Sequence, residues 1–148
     1  MQLTTTLAVL IAVSTPAVAK TLSTSAGTEW TLTSLSRNCN KGDTSCTWLF
    51  GIDTNEADVG ATTCNYTVKA TTSPPTPASQ ANGGPAKCGV FNITSGWSGQ
   101  FGPDQGFTVI SVVDYTKKLI AYAGYTDASI FNGTVVDPDL SFPVQTLQ

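Results

Sequence analysis

The run FTVISVVDYTKKLIAYA, Phe107 to Ala123, places the tightest limit on what this chain can become. Val109, Ser111 and Val113 alternate with Thr108, Ile110 and Val112. After the polar break Asp114-Tyr115-Thr116-Lys117-Lys118 the apolar pattern resumes in Leu119-Ile120-Ala121-Tyr122-Ala123. Branched aliphatic residues suit a pleated surface and the break suits a turn, so the segment reads as two strands of one hairpin. Apolar residues at nearly every position predict burial on both faces. A hairpin by itself is not stable in water, so the remaining chain must supply a second layer. The expected fold is all-β, a compact antiparallel β-sandwich or small β-barrel.

Residues 1–19 read as a secretory signal peptide. Leu7 to Val13 form a short apolar core, too short for the ~20 residues of a spanning helix, and Ala17-Val18-Ala19 supplies the small residues of a cleavage site. Removing it leaves residues 20–148, about 129 residues, a usual length for one secreted all-β domain. The formal net charge is −3, and the seven Lys and Arg residues form no cluster. That distribution excludes a phosphate footprint, so neither nucleic acid nor insertion into a membrane is expected.

Four cysteines on a secreted chain predict two disulfides, and four thiols allow three connectivities. Cys39 and Cys46 flank the turn-like Asn40 to Ser45, while Cys64 and Cys88 bracket a long Pro/Gly-rich stretch; these positions favour Cys39–Cys46 with Cys64–Cys88. The longer loop should contribute about 3 kcal/mol and the shorter somewhat less. With no His and no close cysteine pairs, a zinc site is not expected.

In chain order, Lys20 to Gly27 reads as a polar arm, followed by a strand from Glu29 to Arg37 with Trp30 and Leu32 on one face. Trp48, Phe50 and Ile52 alternate with Thr47, Leu49 and Gly51 from Cys46 to Asp53, and the two strands form a disulfide-closed hairpin with both tryptophans in the core. Asn55 to Gly60 is a solvated acidic loop without calcium-loop regularity. Cys64 to Ala70 is a strand with one polar face. Thr71 to Ala86, TTSPPTPASQANGGPA, reads as a long exposed loop that cannot continue a sheet. Gly89 to Ile93 is a short strand, and the glycine-rich Thr94 to Gly106 a sheet corner presenting Trp97 and Phe101. A further strand is expected around Tyr125, Ile130 and Phe131, a turn at Asn132-Gly133, and an edge strand at Ser141 to Val144 because Pro143 lacks an amide donor. Asn65, Asn92 and Asn132 each begin an Asn-X-Thr glycosylation pattern.

The absence of His excludes Ser-His and Cys-His nucleophilic catalysis. Paired carboxylates remain, drawn from Asp53, Glu56, Asp58, Asp104, Asp114, Asp127, Asp137 and Asp139, but nearly all sit at strand ends or turns, where Asp serves the backbone. No enzyme, cofactor or metal is therefore expected.

The segments Ser36 to Cys39, Cys46 to Asp53, Phe91 to Phe101 and Phe107 to Asp114 resemble those of small secreted proteins of filamentous ascomycete fungi. In particular they resemble the hypersensitive-response-inducing protein elicitors of plant pathogens such as the rice blast fungus. The resemblance implies a non-enzymatic elicitor of the host apoplast that plant cells perceive, with cell death or defence following. Its expected partner is a plant cell-surface receptor or cell-wall component, met through an aromatic patch of Trp97, Phe101 and Tyr115. The alternative is a wall-carbohydrate-binding protein or a wall-modifying hydrolase using paired carboxylates.

Overall fold

Period-two alternation dominates the computed structural model, which describes residues 28–148. The signal peptide and the polar arm expected before residue 28 lie outside the described residues. The strands in chain order are β1 (Glu29–Cys39), β2 (Ser45–Asp53), β3 (Thr62–Lys69), β4 (Thr71–Thr72), β5 (Pro75–Thr76), β6 (Gly83–Cys88), β7 (Phe91–Ser98), β8 (Phe107–Asp114), β9 (Leu119–Thr126) and β10 (Leu140–Thr146). Two 3-10 segments, Ala78–Gln80 and Asp127–Gly133, interrupt them.

Eight strands form one antiparallel sheet in the order β3-β2-β1-β10-β9-β8-β7-β6, and β4 and β5 make a small separate hairpin. Each strand lies beside its neighbour in sequence, apart from the pairing of β1 with β10 that joins the two chain ends. The sheet curls until β3 and β6 meet, so the fold is a nearly closed barrel rather than a sandwich. Eight strands leave an interior just wide enough for side chains to fill. Trp30, Leu32, Phe50, Ile52, Ile93, Ile110 and Val112 fill it, each 2% exposed or less. Trp30 meets Phe91 edge-on at 5.3 Å, and Trp48 stacks on Tyr66 at 6.2 Å.

The seam between β3 and β6 has no ladder, and two devices close it. At one end the Cys64–Cys88 disulfide crosses from strand to strand. At the other, Gly83 lies so near Val68, Ser95 and Tyr66 that a Cβ would collide with the first two. The other disulfide, Cys39–Cys46, links directly opposed residues of β1 and β2 and clamps their hairpin.

Several expectations are corrected. The β8 strand buries Thr108, Ile110 and Val112 inward, while Phe107, Val109 and Ser111 are half-covered, so burial is one-sided over most of its length. In a barrel the outer face of a strand looks to solvent or to loops, whatever its hydropathy. On β1, Trp30 and Leu32 point inward as expected, but the ladder to β2 shifts between Thr33 and Ser36. Ser34 there adopts φ 51°, and beyond this bulge the inward residues become Leu35 and Arg37.

The Thr71 to Ala86 stretch is not simply an exposed loop: Ala78 and Ala81 are buried, and Gly83 to Ala86 already belongs to β6. Pro85 is tolerated because it borders the ladder-free seam, where an amide donor would find no strand. The strand expected over Gly89 to Ile93 is instead β7, which absorbs Thr94 to Ser98 after a two-residue turn at Gly89-Val90. Residues around Ile130 form 3-10 turns rather than a strand, with Ile130 fully buried as a plug and Val136 N–H donating to Leu35 O at 2.8 Å. Finally, β10 is not an edge strand. It pairs with β1 from Leu140 to Pro143 and with β9 from Val144 to Thr146, so the missing donor of Pro143 falls where one ladder hands over to the other.

Two outcomes follow from the closure. Replacing both Cys64 and Cys88 by Ala should lower unfolding free energy by about 3 kcal/mol, more than the same change at Cys39 and Cys46, as read by urea denaturation. Burial also holds the Tyr66 and Tyr125 phenols well above their ordinary value of 10.0, and Asp139 adds to the effect at Tyr125. Tyr66 has Ser95 as a near neighbour but no partner in hydrogen-bonding geometry, and the Tyr125 hydroxyl is likewise unpaired. Because the fold favours the protonated phenols, their contribution is complete below pH 10 and is lost as pH rises through the folded-state values. Tyrosinate absorbance from these two residues should therefore appear together with unfolding, and a Tyr66→Phe/Tyr125→Phe variant should resist alkali better.

Candidate functional site

Strand directions alternate around the barrel, so the connections sort to its two ends. One end carries the Gly89-Val90 turn, the 115–118 turn and residues 54–61, where the exposed Lys117 pairs with Glu56 at 2.6 Å. The opposite end carries the β1–β2 turn, the insert between β3 and β6, residues 99–106 and the segment after β9. A cavity of about 770 Å³ lies among these four connections, within the usual range for ligand pockets.

Its floor is an ion-pair network built on an inward-facing arginine. Past the β1 bulge Arg37 turns into the barrel, where it is 6% exposed, and its guanidinium sits 5.5 Å from the Trp48 ring centroid. Nη1 donates to Asp127 Oδ1 and to the Ser79 carbonyl, each at 3.0 Å. The second oxygen of Asp127 accepts from Trp97 Nε1 at 2.8 Å. One carboxylate thus fixes both a buried cation and an indole ring. Asp43 performs a similar task for the insert: its carboxylate accepts from the Ser79 amide at 2.9 Å and from the Ser79 hydroxyl, and its carbonyl accepts from Ala78 N–H.

Trp97 stands at the wall of the cavity. Its amide donates to Asn82 Oδ1 at 3.2 Å, and its ring packs against backbone at Gly99 and Gly106. A Cβ at Gly99 would lie 2.5 Å from Trp97 Cη2, and one at Gly106 would strike Asp127, so both positions require glycine for close approach rather than for backbone conformation. A second cavity of about 370 Å³, lined by Pro74, Ala81 and Asn82, shares Trp97 and Gln80 with the first.

The proposed aromatic patch is not assembled. Phe101 is 69% exposed and stacks on Phe107 at 5.7 Å over a different hollow, beside Tyr125. Tyr115 follows the far end of β8, about 25 Å of strand away from Phe107. Of the glycosylation patterns, Asn65 is exposed on β3, Asn92 is half-buried on β7, and Asn132 is exposed on the rim of the large cavity. Arg37, Asp43 and Ser79, which form the floor, carried no sequence signal of a site. An arginine in an alternating strand gives such a signal only if the bulge that turns it inward is known. Cys39, Asp43 and Cys46 lie close together, but both sulfurs are spent in a disulfide, so no metal-binding thiolate is available there.

Comparison with known proteins gives a consistent result. A family described as Effector TSP1 matches residues 31–147, the span that holds the barrel and all four connections of this end. A protein called Effector TSP1 from Hypocrea virens is 51% identical over 147 residues, covering 96% of this chain and 96% of its own length.

Asp127→Asn should lower stability by about 2 kcal/mol, because Arg37 loses its ion pair while staying buried. The variant should also make Trp97 emission more quenchable by acrylamide, whereas Lys117→Ala at the other end should leave both readings nearly unchanged.

Proposed function

Because the chain belongs to the Effector TSP1 family, we propose that it acts as a secreted fungal effector, perceived by plant cells in the apoplast and inducing hypersensitive cell death and defence. The observation that carries this reading is the 51% identity to an effector across 96% of both chains. The residues support secretion, since all four cysteines are in disulfides and a bridged, nearly closed barrel suits an oxidising, protease-rich space.

The action we propose is non-enzymatic. Two of the three carboxylates lining the large cavity, Asp43 and Asp127, are engaged as acceptors that hold the architecture, which leaves Asp104 without the partner that glycoside hydrolysis needs. The chain has no His to serve as a general base. The signal in this reading is the folded surface itself.

Infiltration of leaves with purified oxidised protein, beside a reduced and alkylated aliquot, tests the proposal. An oxidative burst or cell death from the oxidised sample alone is expected. Silence from both samples would refute it, and equal responses would show that a linear peptide rather than the fold is perceived.

A further inference from the structure

We propose that the cleft at the loop-bearing end of the barrel binds a neutral oligosaccharide, with the Trp97 indole as its stacking surface. The two cavities there share Trp97 and Gln80, so they adjoin at that ring. Two adjoining hollows suit a chain of linked rings better than a single compact molecule.

The lining selects the chemistry. An apolar ligand would strand the side chains of Gln80 and Asn132 without water or partners, whereas a polyhydroxylated ligand donates to and accepts from both. An anionic ligand would face Asp43, Asp104 and Asp127; Arg37 is already neutralised by Asp127, and even with the exposed Lys41 the lining holds one more acidic than basic group. Charge therefore favours a neutral chain. Trp97 supplies the remaining requirement, a flat surface for sugar C–H groups. Its Nε1 is committed to Asp127 and its ring is seated against Gly99 and Gly106, so its orientation is set before any ligand arrives. The other two tryptophans, Trp30 and Trp48, are at most 2% exposed and cannot serve.

This inference does not rest on the effector reading: binding is measured on the isolated protein, and leaf responses play no part. The same burial difference provides the reporter, because acrylamide can reach only Trp97 of the three tryptophans among the described residues. The full chain, oxidised and free of glycan so that Asn132 on the rim is bare, is titrated with the hexamers of cellulose, laminarin, xylan and chitin. The galacturonic acid hexamer is the acidic comparison. At least one neutral hexamer should protect Trp97 from quenching, and the acidic hexamer should bind about tenfold more weakly or not at all.

By calorimetry, Trp97→Ala should weaken binding by about tenfold or more. Since that change also removes a partner of Asp127, Asp104→Gly on the exposed loop, which suits the positive φ of that position, serves as an independent variant; it should weaken binding severalfold without lowering the melting temperature. The proposal is overturned if no neutral hexamer protects Trp97, if the acidic hexamer binds as well, or if both variants bind as the parent does.

Discussion

The structure depends on closing an eight-stranded sheet at a seam that has no ladder of its own. Every other pair of neighbouring strands is held by backbone hydrogen bonds, and β3 and β6 are not. The Cys64–Cys88 bond holds one end of that gap, and a glycine with no room for a side chain lets the strands converge at the other. Once the gap is shut, every inward residue of alternating strands faces a common interior, and the large apolar side chains reach the burial that offsets chain entropy. The insert between β3 and β6 is the chain's route across this seam, which is why it is rich in Pro and why it lies over the barrel end.

The same closure makes the two ends unlike. One end carries two tight turns and the 54–61 loop, joined by an exposed Lys117–Glu56 pair. At the other, four connections have to be tied to each other and to the barrel, and Arg37 and Asp127 do this from below. Their ion pair reaches the insert through Ser79, the Gly-rich loop through Trp97, and the core through Trp48. A buried charge is tolerable here because it is paired with Asp127, donates also to the Ser79 carbonyl and lies near the Trp48 ring. The cleft is thus a by-product of an architecture that already requires a polar floor, and its aromatic wall is held by the residue that neutralises that floor.

Much of the fold was legible. The β8–β9 hairpin, the β1–β2 hairpin with its disulfide, the alternation of Cys64, Tyr66 and Val68, and the core positions of Trp30 and Trp48 all follow from local period and turn chemistry. The failures share one cause, which is that a neighbour supplied by tertiary structure changed what a residue could do. Pro143 signalled an edge, yet lies inside the sheet because two partial ladders meet beside it. Gly83 and Pro85 signalled a loop, yet form a strand because a seam needs small residues and no donor. The Ser34 bulge inverted the faces of β1 and sent Arg37 inward, where sequence phase would have left it outside.

The sequence by itself determined the class of this protein: strand period, cysteine spacing and the lack of His are local properties, and they dictate a bridged all-β chain without nucleophilic triad chemistry. The choice of barrel over sandwich, the meeting of Trp97 with Asp127 and Arg37, and the separation of Tyr115 from Phe101 were decided only by the tertiary structure. Those depend on which strand ends share an end of the barrel. Strand order and the sense of closure, set by contacts between residues far apart in the chain, fix that arrangement, and no local pattern encodes it.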